Sequence, residues 1–136
     1  MVRVLFVCLG NICRSPMAEA VFRDMVEKEG LTDKIEIDSA ATSSWEHGNP
    51  VHYGTRDKLA EVGISVDGMY SRILKNSDLE ADYIVGMDNA VILGVFLKQS
   101  KLFSINISLT QTFPILYHVN WINRIRFYKI YYNLFL

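Results

Sequence analysis

The chain opens on an apolar run. Residues 2–7 read Val-Arg-Val-Leu-Phe-Val, apolar on both faces apart from Arg3. A short run of β-branched and aromatic residues without alternation predicts a central strand of a parallel sheet, buried on both sides. Ser15-Pro16 then predicts a helix start, with serine as the cap and proline pre-shaped for the first helical position. Ala18, Val21, Phe22, Met25 and Val26 recur at helical spacing as far as about Glu29, where Gly30 supplies the stop. Residues 34–38 alternate and predict a second strand, and the Ser- and Gly-rich residues 39–50 predict a loop. Residues 53–62 predict a second helix ended by Gly63, Asn76-Ser77-Asp78 a short helical turn, and 83–87 a third strand. Strands alternating with helices make βαβ units, so the class is α/β with a parallel sheet flanked by helices.

After Asp88 the pattern changes. Phe103, Ile105, Ile107 and Leu109 alternate with Ser104, Asn106 and Ser108, which predicts a further strand. Beyond Ile115 the apolar residues are too dense to give a period, and a helix or two strands fit equally.

Composition changes this picture little until it is split along the chain. The 136 residues are 50% apolar and 21% charged, with a net charge of −1, which suits a single domain with one core. Nothing in that balance points to nucleic acid or to a membrane surface. Yet residues 91–136 hold five Lys/Arg and no Asp or Glu, so all fifteen acids precede them. No run reaches the ~18 apolar residues of a membrane span, and the N-terminal run lacks a small-residue cleavage site. With two cysteines, both in one short loop, a disulfide scaffold and a zinc site are excluded, and a reducing, cytoplasmic setting is expected.

That loop is where chemistry is expected. Cys8 follows the first strand, and the chain then curls through Leu9, Gly10, Asn11, Ile12 and Cys13 to Arg14 and Ser15 at a helix start. Helix N-terminal amides and the positive end of the dipole favour an anion, both a thiolate and a bound phosphate. Gly10 and Asn11 tolerate left-handed backbone angles, which lets successive amides turn inward as a nest. The planar fork of Arg14 matches two phosphate oxygens, and the Ser15 hydroxyl can donate to the thiolate. A cysteine ending a buried strand can also be a small core residue. The Gly-Asn inside the loop and the Ser-Pro after it favour the anion cradle. No lysine stands where a nucleotide-binding loop would carry one.

Three stretches carry a family resemblance: VCLGNICRSPMAEAVF at residues 7–22, DSAATSSWEHGNPV at 38–51 and DYIVGMD at 82–88. Through them residues 1–89 resemble the low-molecular-weight protein-tyrosine phosphatases. The resemblance implies a three-layer fold, a four-stranded parallel sheet with helices on both faces. It implies Cys8 as nucleophile, Arg14 as ligand of the phosphate and transition state, and residues 9–15 as the cradle. Asn11 would hold the loop's strained conformation. Trp45 would line a substrate slot, a reading the resemblance favours over a Trp that simply folds back on the core. Cys13 would trap an oxidised Cys8 as a disulfide, or simply pack behind the loop. No cofactor or metal is implied. The implied substrate is phosphotyrosine in a protein, or a small aryl phosphate. His47, His52 and His118 fall in no motif and are given ordinary polar roles.

The resemblance fails late in the chain. The family's general acid is an Asp in an Asp-Pro-Tyr-Tyr loop, and here Tyr131-Tyr132 follow Lys129-Ile130 with no Asp after Asp88. Residues 68–70 also stand where relatives commonly carry a His before Ser-Arg. The break, the loss of acids and the rise of Ile, Phe, Asn and Tyr coincide near residues 89–91. A shifted reading frame or retained non-coding sequence accounts for this. The competing reading is a genuine substitute tail whose 103–109 strand completes the sheet. The functional expectation is therefore a cysteine phosphatase with impaired proton transfer. The alternatives are a phosphate-gripping pseudo-enzyme and, less favoured, an arsenate reductase, which would need cysteines after Cys13.

Overall fold

A computed structural model describes residues 1–88 together with Ala90, Val91 and Val95. Strand β1 (Val2–Cys8) leads to helix α1 (Arg14–Lys28), strand β2 (Ile35–Ala41), helix α2 (Tyr53–Ala60), a short 3-10 helix (Asn76–Glu80) and strand β3 (Tyr83–Gly86). The sheet order is β2-β1-β3 and both pairings are parallel. The expected fourth strand, including the pattern at 103–109, lies outside the described residues, as do Tyr131, Tyr132 and His118.

Both faces of β1 are buried because both of its side-chain rows are apolar. Val4, Phe6 and Cys8 pack under Ala18, Phe22 and Val26 of α1, where Phe6 and Phe22 meet edge to face at 5.9 Å. Leu5 and Val7 face the other way, against Ala40, Leu79, Ile84 and the helical residues Val91 and Val95. The outer side of α1 buries Met17, Ala20 and Val21 against Val51, Leu59 and Val66, which seats α2 on α1. Leu59 is fully buried in that layer. Leu59→Ala is expected to cost about 2–5 kcal/mol, read as a lowered urea midpoint; a loss under ~1 kcal/mol would mean that α2 does not pack as described.

The helix ends follow from two glycines. Gly30 takes φ +66, Gly30 N–H donates to Glu27 O and Leu31 N–H to Val26 O, which is a Schellman cap. Gly63, at φ +75, repeats the arrangement after α2 with Ala60 O and Leu59 O.

Several boundaries depart from expectation: α2 ends at Ala60 rather than 62 and β3 at Gly86 rather than 87. Helix α1 begins at Arg14 rather than after Ser15, with Cys13 at the cap and no side-chain capping bond. Proline still fits within the first turn, where amides lack intrahelical partners anyway. Strand β2 runs on through Ser39, Ala40 and Ala41, which were expected to open a loop. These small residues are almost wholly buried, and Ser39 is satisfied by partners distant in sequence. No helix among the described residues is long and apolar enough to cross a membrane.

Candidate active site

Cys8 is the last residue of the central strand, paired with Ala41 in β2. In a 2-1-3 parallel sheet the chain leaves β1 for one neighbour and later returns to the other. That opens a crevice at the carboxyl ends of the strands. The loop 9–13 fills this crevice and delivers the chain to the N-terminus of α1, whose first intrahelical bond is Met17 N–H to Cys13 O.

The loop turns because Asn11 takes φ +55, a left-handed conformation that asparagine tolerates better than most residues. Its backbone N–H thereby donates to Cys8 Sγ at 3.1 Å. The Asn11 side chain is 3% exposed and fully engaged. Its Oδ1 accepts the Arg72 backbone N–H at 3.1 Å, while Nδ2 donates to Ser15 Oγ and to Ser39 Oγ, each at 2.8 Å. A backbone N–H can only donate, so Arg72 fixes which way the Asn11 amide points.

The direction of every hydrogen in this network then follows. Ser39 Oγ accepts from Asn11 and donates to the carboxylate of Glu19, which can only accept when ionised. Ser15 Oγ accepts from Asn11, which leaves its own hydrogen for Cys8 Sγ, 2.9 Å away. The thiol thus faces two donors, the Asn11 amide and the Ser15 hydroxyl, at the positive end of α1. Both donors therefore converge on one sulfur beside the N-terminus of a helix.

Arg14 stands at the first position of α1, and its Nη1 donates to Asp88 Oδ2 at 2.9 Å. Asp88 follows β3, and its Oδ1 accepts the Val91 N–H at 2.9 Å. Burial works against the Asp88 charge, but the backbone bond from Val91 and the Arg14 guanidinium outweigh it and hold the carboxyl below its ordinary range. Asp88 is therefore an anchor for the guanidinium and a poor proton donor.

The segment behind the loop is braced in turn. Ser71 Oγ donates to Gly10 O at 2.8 Å, and Arg72 pairs with Asp78 at 2.8 Å and Asp38 at 2.7 Å. Burial opposes the Asp78 charge, yet the Arg72 bond and the Lys75 backbone N–H leave its pKa lowered.

Comparison with known proteins decides what this constellation belongs to. A family model described as low molecular weight phosphotyrosine protein phosphatase matches residues 3–104. The chain belongs to the low molecular weight phosphotyrosine protein phosphatase family. It is 57% identical over 89 residues to the low molecular weight protein-tyrosine-phosphatase YfkJ of Bacillus subtilis, covering 65% of this chain and 57% of that protein. The chain thus matches little more than half the length of this curated relative. The crystal structure of YfkJ superposes with a TM-score of 0.73 at 44% identity, over 88% of this chain and 82% of that one. A Drosophila arginine phosphatase superposes at 0.67 with 35% identity, over 70% and 60%.

Within this phosphatase-family fold, the structure brings Cys8, Asn11 and Ser15 into direct contact. Leu9 and Gly10 are tied down by their carbonyls, which accept from Ser43 and Ser71 respectively. Ile12 O accepts the His52 N–H at 2.8 Å. Cys13 is a half-buried free thiol beside Thr55, and burial, against the Thr55 hydrogen bond, pushes its pKa up. Trp45 is 78% exposed on the 42–49 loop, so it does not fold back on the core. His52 caps α2 by accepting the Gly54 N–H on Nδ1 and stacks on Tyr53.

No sequence motif singles out Glu19, Ser39, Ser71 or Arg72 individually. Glu19 did carry a signal, since it stands one helical turn after Ser15 within a buried run of α1. Burial, only partly offset by Ser39 and Arg23, raises the Glu19 pKa above its ordinary 4.5. A carboxyl whose folded pKa exceeds its unfolded one binds the extra proton in the folded state. Its contribution therefore costs stability as pH rises from 4.5 through the folded pKa. The depressed Asp78 and Asp88 have the opposite sign, contributing stability above about 3.8 that is lost as pH falls below it. Urea unfolding of wild type and Glu19→Gln from about pH 4 to 8 is expected to show the wild type losing ground to the variant as pH rises. A pH-independent difference would contradict a raised Glu19.

Proposed function

We propose that this chain is a cysteine-dependent phosphatase acting on phosphotyrosine in proteins or on small aryl phosphates. The observation that carries the reading is Cys8 Sγ, held by the Asn11 amide and the Ser15 hydroxyl at the head of α1, one loop away from Arg14. The thiolate attacks phosphorus, an S–P bond forms and the P–O bond to the aryl oxygen breaks. The guanidinium of Arg14 holds two equatorial oxygens, and the loop amides take the charge that spreads over them. Ser15 stabilises the sulfur again when water displaces it, which releases orthophosphate. Trp45 offers an exposed flat wall for the aryl ring.

The proton for the departing oxygen is the weak step. The Val91 backbone N–H and Arg14 hold the Asp88 carboxyl below its ordinary range, and no Asp or Glu follows it in the sequence. General-acid assistance is typically worth about 10²–10⁴-fold, and most for a strongly basic leaving group. This favours a second reading, a phosphate- or phosphotyrosine-gripping protein with slow turnover.

Hydrolysis of nitrophenyl phosphate, whose leaving group needs little protonation, compared with that of phosphotyrosine separates the two. The expected result is Cys8-dependent turnover of the first and a rate about 10²–10⁴-fold lower on the second. Comparable rates on both would mean that another group supplies the proton. No Cys8-dependent turnover on either would leave the binding protein. Phosphoarginine belongs in the same assay because one structural relative is named an arginine phosphatase; its exclusive turnover would move the substrate class.

A further inference from the structure

The rim of the phosphate cradle carries a carboxylate. Glu46 stands on the 42–49 loop, which is stitched to the nucleophile loop where the Ser43 N–H and Oγ both donate to Leu9 O, at 3.0 and 2.8 Å. The aliphatic stem of Glu46 lies on Gly10, so closely that a Cβ at residue 10 would meet Glu46 Cγ at 3.3 Å. Glycine at that position is what lets the stem approach. The carboxylate is thereby held beside a loop shaped for an anion.

Among the described residues nothing neutralises that charge. Glu46 Oε2 accepts from the neutral Asn49 amide at 2.7 Å, and no described residue donates to the other oxygen. None of the ion pairs among the described residues includes Glu46. Arg14, the cation of the cradle, is directed to Asp88 instead. The charge reaches the loop, since burial chiefly, and Glu46 in part, push the Cys13 thiol up. A bare phosphate therefore meets a like charge at the rim, which costs affinity unless the substrate brings a cation of its own.

We propose that Glu46 sets peptide selectivity: the preferred substrate carries a Lys or Arg next to its phosphotyrosine, whose N–H donors take the free oxygen of Glu46. This rests on the phosphatase reading of Cys8 and Arg14 and narrows the substrate class within it. With the aryl ring against the exposed Trp45, the residue before Glu46, the neighbouring side chains of the peptide leave the slot over the 42–49 loop. A Lys or Arg stem is long and flexible enough to reach a rim carboxylate while the phosphate stays in the cradle. Acidic neighbours meet like charge and are disfavoured.

The probes are two phosphotyrosine peptides, one with Lys and one with Glu on both sides of the phosphotyrosine. Each is titrated calorimetrically into the full chain carrying Cys8→Ser, which binds without turnover. The Lys peptide is expected to bind about tenfold tighter than the Glu peptide, with the ratio shrinking as salt is added. Adding Glu46→Gln keeps the stem on Gly10 and an acceptor for Asn49, and should cut the ratio to about threefold or less. Glu46→Lys should reverse the order of the two peptides, so either folded variant decides. Asp33→Asn removes an equal charge from the exposed turn before β2, at the end of the sheet away from the cradle, and should leave the ratio unchanged. Equal affinity for the two peptides, a ratio that neither Glu46 substitution moves, or an equal response to Asp33→Asn would overturn the proposal and leave the phosphatase reading standing. Binding of neither peptide nor orthophosphate would overturn both.

Discussion

Cys8→Ser is expected to lower nitrophenyl phosphate hydrolysis by about 10⁴-fold or more, because Cys8 Sγ is the thiol on which the Asn11 amide and the Ser15 hydroxyl converge at the head of α1. The substitution is a gentle one for the fold. Cys8 is 3% exposed at the end of β1, and a serine hydroxyl can keep partners where the thiol met Ser15 Oγ and the Asn11 amide. Orthophosphate affinity should stay within about threefold of wild type, since the loop amides and Arg14 remain in place. The paired measurements, turnover and calorimetric phosphate binding, distinguish a lost nucleophile from a lost loop. Turnover within about tenfold of wild type would place the nucleophile elsewhere. Loss of both turnover and phosphate binding would mean that Cys8 shapes the cradle rather than attacks from it.

Asn11→Ala is expected to destabilise the protein by about 3–5 kcal/mol and to abolish measurable phosphate binding. Three groups each lose a partner at once: the half-buried Arg72 N–H and the buried Ser15 Oγ and Ser39 Oγ. A buried group left unsatisfied costs about 1–3 kcal/mol, and alanine at φ +55 adds about another 1. Asn11→Gly separates these contributions, because glycine adopts the same backbone angle without strain. If the glycine variant is as active and nearly as stable as wild type, the side-chain network is dispensable and only the turn matters. If it is as impaired as alanine, the network sets the cradle, as the hydrogen-bond directions require. Denaturant unfolding and phosphate titration of both variants provide the comparison.

Much of this protein was legible along the chain because the relevant signals are local. The double-sided burial of β1 is written in consecutive apolar residues, and the two helix ends in Gly30 and Gly63, whose positive φ no β-branched residue would accept. The spacing from Cys8 to Arg14 and the Gly-Asn between them are likewise short-range facts, since a loop of that length returns to a helix start whatever surrounds it. Where local signals misled, a distant partner was responsible. Ser39 looked like a loop residue, yet it lies in a strand because Asn11 and Glu19 satisfy its hydroxyl. Ser15 looked like a helix cap, yet its hydroxyl is directed to the Cys8 sulfur across the loop.

The amino-acid sequence by itself determined the α/β class, the strand-loop-helix that carries Cys8 and Arg14, and the absence of any acid after Asp88. Tertiary structure alone decided how the loop is held and polarised. Glu19, Ser39 and Arg72 lie 11, 31 and 64 positions from Cys8 by residue number, and no periodicity connects them to it. They meet because parallel β1 and β2 place Ser39 beside Phe6 in register, α1 lays Glu19 over that position, and the 71–74 segment returns alongside β2 to offer the Arg72 amide. Hydrogen-bond direction is a property of that closed set of partners, and it exists only once the chain has folded.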